Sequence, residues 1–154
     1  MINQENLNTI KKTAQDFFQQ MGFEPEIEVK PVPNEETVEI NLKMEEPQVL
    51  IGERGQTLGE IQHLLKAMLR RKIAEHFYIN LDINDYKKRK IEYLKEMARS
   101  AAEEVALTKK EKILAPMPAF ERRIVHMELA NRENIISESI GQEPDRHIVI
   151  RPCP

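Results

Sequence analysis

The chain has no tryptophan, one cysteine, five glycines and only 5% aromatic residues in 154 positions. Each shortage excludes something. A lone Cys153 cannot form an internal disulfide, which points to a reducing compartment. No apolar run approaches the roughly 20 residues that a membrane helix needs, so no membrane insertion is expected. The start, Met1-Ile2-Asn3-Gln4-Glu5, lacks the basic and apolar regions of a secretory signal. The expected location is the cytoplasm.

Catalytic inventories are equally thin. No Cys/His cluster has metal-ligand spacing, and Asp82 and Asp85 suit capping of a following helix better than holding an ion. No nucleophile sits beside a candidate base. These absences predict a protein that is not an enzyme and needs neither metal nor cofactor. What the chain does have is charge: 32% of residues are charged and the net charge is −3. Residues 1–84 carry nine Lys/Arg against fourteen Asp/Glu, and residues 85–154 fourteen against twelve. The acid is concentrated before Gly52, at Glu24, Glu26, Glu28, Glu35, Glu36, Glu39, Glu45 and Glu46. An anionic ligand should therefore meet the chain at Gly52 or beyond, and bind in a salt-sensitive way.

Hydrophobic periodicity orders the chain. Leu7, Ile10, Ala14, Phe17, Phe18 and Met21 recur at helical spacing over 4–21, with Gly22 placed to cap the end. Strands are expected at 25–31 and 37–44, the second alternating through Val38, Ile40, Leu42 and Met44. A helical turn over Pro47 to Leu50 precedes the glycine loop. A helix follows from about Thr57 to Glu75, with Thr57 and Glu60 at capping-box spacing and a stripe of Leu58, Ile61, Leu64, Leu65, Met68 and Ile73. Phe77, Ile79, Leu81 and Ile83 alternate as a third strand. Helix, strand, strand, short helix, long helix, strand is an α+β layer with its own core. Beyond it, Asn84 or Asp85 can cap a helix from Tyr86 to about Thr108, striped by Ile91, Leu94, Ala98, Ala101, Ala102 and Val105. A short apolar stretch, Ile113-Leu114, leads to a helix near 118–130 and strands near 134–139 and 146–151.

Two local patterns carry chemistry. Ile51-Gly52-Glu53-Arg54-Gly55-Gln56-Thr57-Leu58 places a Gly-x-x-Gly turn ahead of a helix, where free amides and the positive dipole end suit a phosphate. It lacks the Lys-Ser/Thr ending of a nucleotide-binding loop. The competing reading is a tight joint between two helices with no ligand. The second pattern is Glu121-Arg122-Arg123-Ile124-Val125-His126, in which Arg122 and His126 share a helix face and can meet a phosphate and a base. The competing reading there is internal hydrogen bonding that holds the second domain together. Lys66, Arg70 and Arg71, and the run from Lys87 to Lys90, are either solvated faces or an extended phosphate track. His147 beside Arg146 is open between the same alternatives, and His63 and His76 fit a surface or core edge.

With both patterns in the same order, and with Asp85-Tyr86-Lys87-Lys88-Arg89-Lys90 between them, the chain resembles the Jag, or KhpB, family of bacterial proteins. The resemblance covers nearly all of residues 1–151. It implies a type II KH domain at 1–84 (αββααβ, a three-stranded sheet with helices on one face) and a small α/β Arg-x-x-x-His domain at 85–154. It further implies a ligand of single-stranded RNA, with single-stranded DNA as the related alternative. The contacts implied are Ile51, Gly52, Glu53, Arg54 and Gly55, then Arg122 and His126, with Lys66, Arg70, Lys87, Lys88 and Arg146 as additional candidates. Bases are expected in a groove bounded by Val49, Ile51 and Leu58. Family members commonly carry a basic residue where this chain has Glu53, and a carboxylate there repels phosphate. The family's link to the cell envelope and division implies a post-transcriptional or RNA-chaperone-like regulator. The alternative is an adaptor that holds a protein partner, or pairs with itself or another KH protein, with RNA secondary.

Overall fold

The computed structural model describes residues 2–154. The chain divides into two compact units, the first ending at Lys87 and the second comprising Lys88–Pro154. Among the described residues no helix is long and apolar enough to cross a membrane.

The first unit opens with α1, Gln4–Gln20, whose N-terminus is capped by the Asn3 side chain accepting from the Asn6 amide at 2.8 Å. Its end is a Schellman turn. Gly22 adopts φ +89°, the Phe23 amide reaches back to the Phe18 carbonyl (2.9 Å) and the Gly22 amide to the Gln19 carbonyl (3.0 Å). Strand β1, Glu26–Pro31, pairs antiparallel with β2, Thr37–Lys43, and β2 pairs parallel with β3, Tyr78–Ile83. The central strand β2 buries Val38, Ile40 and Leu42 and leaves the intervening residues half-exposed, so one sheet face is covered. Helix α1 lies against β1, α3 against β3, and the two helices touch. Parallel pairing needs a long crossover. That crossover carries α2, Gln48–Ile51, a 3₁₀ turn at Glu53–Gly55, and α3, Gln56–Lys72.

Three details differ from the sequence expectations. Helix α3 stops at Lys72, because Ile73 turns extended (φ −123°, ψ 122°) to bury its side chain. Its buried stripe is Leu58, Ile61, Leu65 and Leu69, while Leu64 is half-exposed. The expected capping box does not form: the N-cap is Gly55, without a side-chain bond, and the Thr57 side chain sits beside Gly52 instead.

Helix α4, Tyr86–Thr108, begins just before the second unit. Asn84 and Asp85 both adopt left-handed conformations and do not cap it. The carboxylate of Asp82 accepts from the amides of Ile83 and Lys87, while the Asn84 side chain brackets Met44 through its amide and carbonyl. Leu94, Ala98, Ala101, Ala102 and Val105 are buried along α4, with Ile91 at the margin. Helix α5 is Ala119–Leu129, and the sheet is β4, Lys112–Ile113, β5, Ile135–Ile140, and β6, His147–Pro152. All pairings are antiparallel, with β6 in the centre. The strand β4 was not expected. It is two residues long and Ile113 is exposed, so it leaves no alternation to read and exists through pairing with Val149 and Ile150. Core side chains include Leu114, Met117, Val125, Leu129, Ile135, Ile148 and Ile150.

Candidate nucleic-acid interface

The turn between α2 and α3 is built from positive backbone angles: Gly52 at φ +72°, Arg54 at +55° and Gly55 at +78°. Glu53 and Arg54 project at an exposed apex, and the glycines are half-exposed. The Gly52 amide donates to the Gln48 carbonyl (3.0 Å), Gly55 to Gly52 (3.4 Å) and Gln56 to Glu53. The amides of Glu53 and Arg54 make no backbone bond among the described residues. The turn is thus neither buried nor fully satisfied, and two donors remain at its apex. Both glycines also have internal reasons to be there. A Cβ on Gly52 would stand 2.1 Å from the Thr57 Oγ1, and one on Gly55 would stand 2.9 Å from the Tyr86 ring.

The expected apolar groove is not present in that form. Ile51 and Leu58 are core residues, 8% and 1% exposed, and only Val49 of the three stands out at 69%. A cleft of about 700 Å³ beside Val49 has Phe23, Pro25 and Met44 among its lining, with Glu24, Glu26, Glu45 and Glu46 around them. Of the further cations, Lys66 places its ammonium 4.9 Å above the Tyr78 ring, while Arg70 and Lys88 are exposed. Lys87 is engaged internally: its Nζ donates to Gln62 (2.8 Å) and Asn80 (2.7 Å). Burial pulls its pKa below the ordinary 10.5 against the opposing pull of Asp82.

In the second unit Arg122 and His126 do share one face of α5, but Arg122 is only 8% exposed. Its Nη1 donates to the Met117 carbonyl (2.6 Å) and pairs with the Glu143 carboxylate (2.8 Å). Every buried side-chain nitrogen or oxygen among the described residues has a partner. The Nε and Nη2 groups of Arg122 bond to nothing in the protein and so reach solvent. His126 Nδ1 lies 3.0 Å from the Ser137 hydroxyl on β5. Arg146 is spent inside the β5–β6 hairpin, with Nε on the Ser139 hydroxyl, Nη1 on the Gly141 carbonyl and Nη2 on the Ser139 carbonyl. It is a poor candidate for a free RNA contact.

Partial burial lowers the pKa of His126 below 6.5, and the Arg122 guanidinium lowers it further. A histidine held neutral in the folded state contributes stability above pH 6.5 that is lost as pH falls toward its folded value. The urea midpoint of wild type relative to His126→Gln should therefore decline below pH 6.5, no more steeply than about 1.4 kcal/mol per pH unit. A flat difference would place the imidazole in an ordinary solvated setting.

Sequence reasoning did not find Ser137, Ser139, Glu143 or Tyr86. A weak signal existed for the serines, which fall two apart on one face of a strand between isoleucines. None existed for Glu143 or Tyr86, which arrive by tertiary contact.

The architecture is a pair of α+β units, one with an exposed glycine turn and one with an Arg/His helix face. Residues 92–152 match the Arg-x-x-x-His domain family. Over 154 residues the chain is 32% identical to the RNA-binding protein KhpB of Clostridium symbiosum, covering 97% of this chain and 69% of that protein. It is 39% identical over 102 residues to the protein of the same name from Lactiplantibacillus plantarum, covering 66% of this chain and 32% of that protein. With the Bacillus subtilis protein the figures are 34% over 119 residues, 76% and 57%. The chain belongs to the KhpB family and carries an Arg-x-x-x-His domain.

Proposed function

We propose that the protein binds single-stranded RNA through both units, a type II KH domain ending near residue 84 and the Arg-x-x-x-His domain that follows. The observation that carries this reading is the exposed apex at Glu53 and Arg54, with unbonded amides immediately ahead of α3. Membership of a family whose relatives are named RNA-binding proteins supports it. In this arrangement the apex amides and the Arg54 guanidinium receive phosphate oxygens, and the helix N-terminus adds its dipole. Glu53 at the same apex opposes them, which keeps affinity modest. In the second unit the solvent-facing nitrogens of Arg122 and the Nε2 of His126 make the second contact. The same reading makes the protein a cytoplasmic, post-transcriptional or RNA-chaperone-like regulator linked to envelope and division.

The test uses the two exposed apex side chains, since neither is packed. Arg54→Glu should weaken binding to a short single-stranded RNA about tenfold in low salt and reduce the salt slope by about 0.7. Glu53→Lys should do the reverse, with both circular-dichroism spectra unchanged. Unaltered affinity in both variants would remove the turn from the interface.

The acidic cleft beside Val49 favours a second reading, an adaptor for a basic partner segment, with RNA secondary. Glu45→Lys with Glu46→Lys separates the two: it should abolish partner capture in the adaptor reading and leave or improve RNA affinity in the first.

A further inference from the structure

Five phenylalanines are present. Phe18 and Phe77 lie in the first unit's core and Phe17 and Phe23 pack against it, whereas Phe120, on the first turn of α5, is 64% exposed. Met127, seven residues on, is 65% exposed. Arg123 lies between them at helical spacing, three residues from Phe120 and four from Met127, and is also exposed. The carboxylates of α5 are both engaged, Glu121 with Lys90 (3.6 Å) and Glu128 with Arg99 (2.8 Å). Arg123 enters no ion pair among the described residues. The outward face of α5 therefore offers an open ring, a thioether and an unpaired guanidinium, adjoining the half-buried His126.

We infer that Phe120, Arg123 and Met127 form a stacking strip that takes one or two bases of a single strand whose phosphate meets Arg122 and His126. This rests on the RNA-binding reading and adds where the bases go in the second unit. A flat ring accepts any base on its face, so the strip confers affinity without sequence selectivity. Arg123 complements the strand's charge and can stack on the next base. A basic, aromatic-bearing surface fits a polyanion with planar groups better than it fits a second apolar protein face.

The chain has no tryptophan, so Phe120→Trp places a unique fluorophore in the strip. Titration with oligouridylate and oligoadenylate should quench it strongly. The same probe at Leu107, 87% exposed on α4, should respond weakly. By anisotropy of labelled RNA, Phe120→Leu should lose about tenfold in affinity and Phe120→Tyr should keep it. If wild type binds the RNA while the introduced indole stays unquenched and Phe120→Leu binds normally, the strip is overturned and the RNA-binding reading survives. If wild type binds no single strand, both fall. If Phe120→Leu changes only the oligomeric mass, the face is a protein contact and the inference is wrong.

Discussion

Gly52→Ala is expected to destabilise the first unit by about 3 kcal/mol. Gly52 sits at φ +72°, ψ −175°, a conformation essentially reserved for glycine, which alone costs a side-chain residue about 1–3 kcal/mol. The new Cβ would also stand 2.1 Å from Thr57 Oγ1 and 2.7 Å from Thr57 Cβ, an overlap relieved only by shifting α3 or the turn. For a unit of this size the loss corresponds to roughly 15 °C in Tm. Gly55→Ala should cost less, about 1–2 kcal/mol, since its left-handed angle is milder and the obstacle is the edge of the Tyr86 ring. Gly59→Ala is the opposite case: it lies inside α3 with open space around its Cβ position and should stabilise by about 0.5–1 kcal/mol. Hydrogen exchange of α3 and β3 amides reads all three. Adding Thr57→Ala to Gly52→Ala should recover only part of the loss, because the backbone strain stays. Equal effects at Gly52 and Gly59 would mean the turn relaxes freely. Loop glycines are consequently poor probes of ligand binding here, since their replacement disturbs the fold first.

Arg122→Ala should cost the second unit about 2–3 kcal/mol. The guanidinium answers the carbonyl of buried Met117, and its removal leaves that acceptor without its partner. The Glu143 side chain is 59% exposed, so its freed charge is solvated and adds little. Arg122→Lys should recover less than half, because one ammonium cannot reproduce the planar fork across a carbonyl and a carboxylate. Thermal unfolding gives the magnitude, and hydrogen exchange over α5 and β6 assigns it to this unit. A variant as stable as wild type would mean that Arg122 is held by its surroundings and does not hold them. Lost RNA affinity in Arg122→Ala is therefore ambiguous by itself. The exposed neighbours Phe120 and Arg123 are cleaner probes of the same surface.

Much of this is legible in the chain. The stripes of α1 and α4, the alternation of β2 and the order of elements follow from hydrophobic periodicity, which acts over a few residues. So does the placement of Arg122 and His126 on one helix face. The need for glycine at 52 and 55 is also visible, though for part of the reason only. The sequence presents the turn as a phosphate seat, and the structure adds that Thr57 and Tyr86 crowd it. Other expectations fail where a distant partner intervenes. Lys87 reads as a free cation, but Gln62 and Asn80 claim its ammonium. Arg146 reads the same way, but the hairpin carbonyls claim its guanidinium. Ile51 and Leu58 read as groove walls and are core. β4 has no pattern of its own.

The sequence by itself determined which segments coil or extend, where the backbone must bend without a side chain, and which cations share a helix face, because these depend on near neighbours along the chain. Only the tertiary structure decided which of those cations are still free. A side chain's availability depends on acceptors brought from elsewhere in the fold, as Glu143 is to Arg122. Burial withdraws some cations from the surface while leaving Arg54 and Arg123 exposed there, with Phe120 beside the second of them.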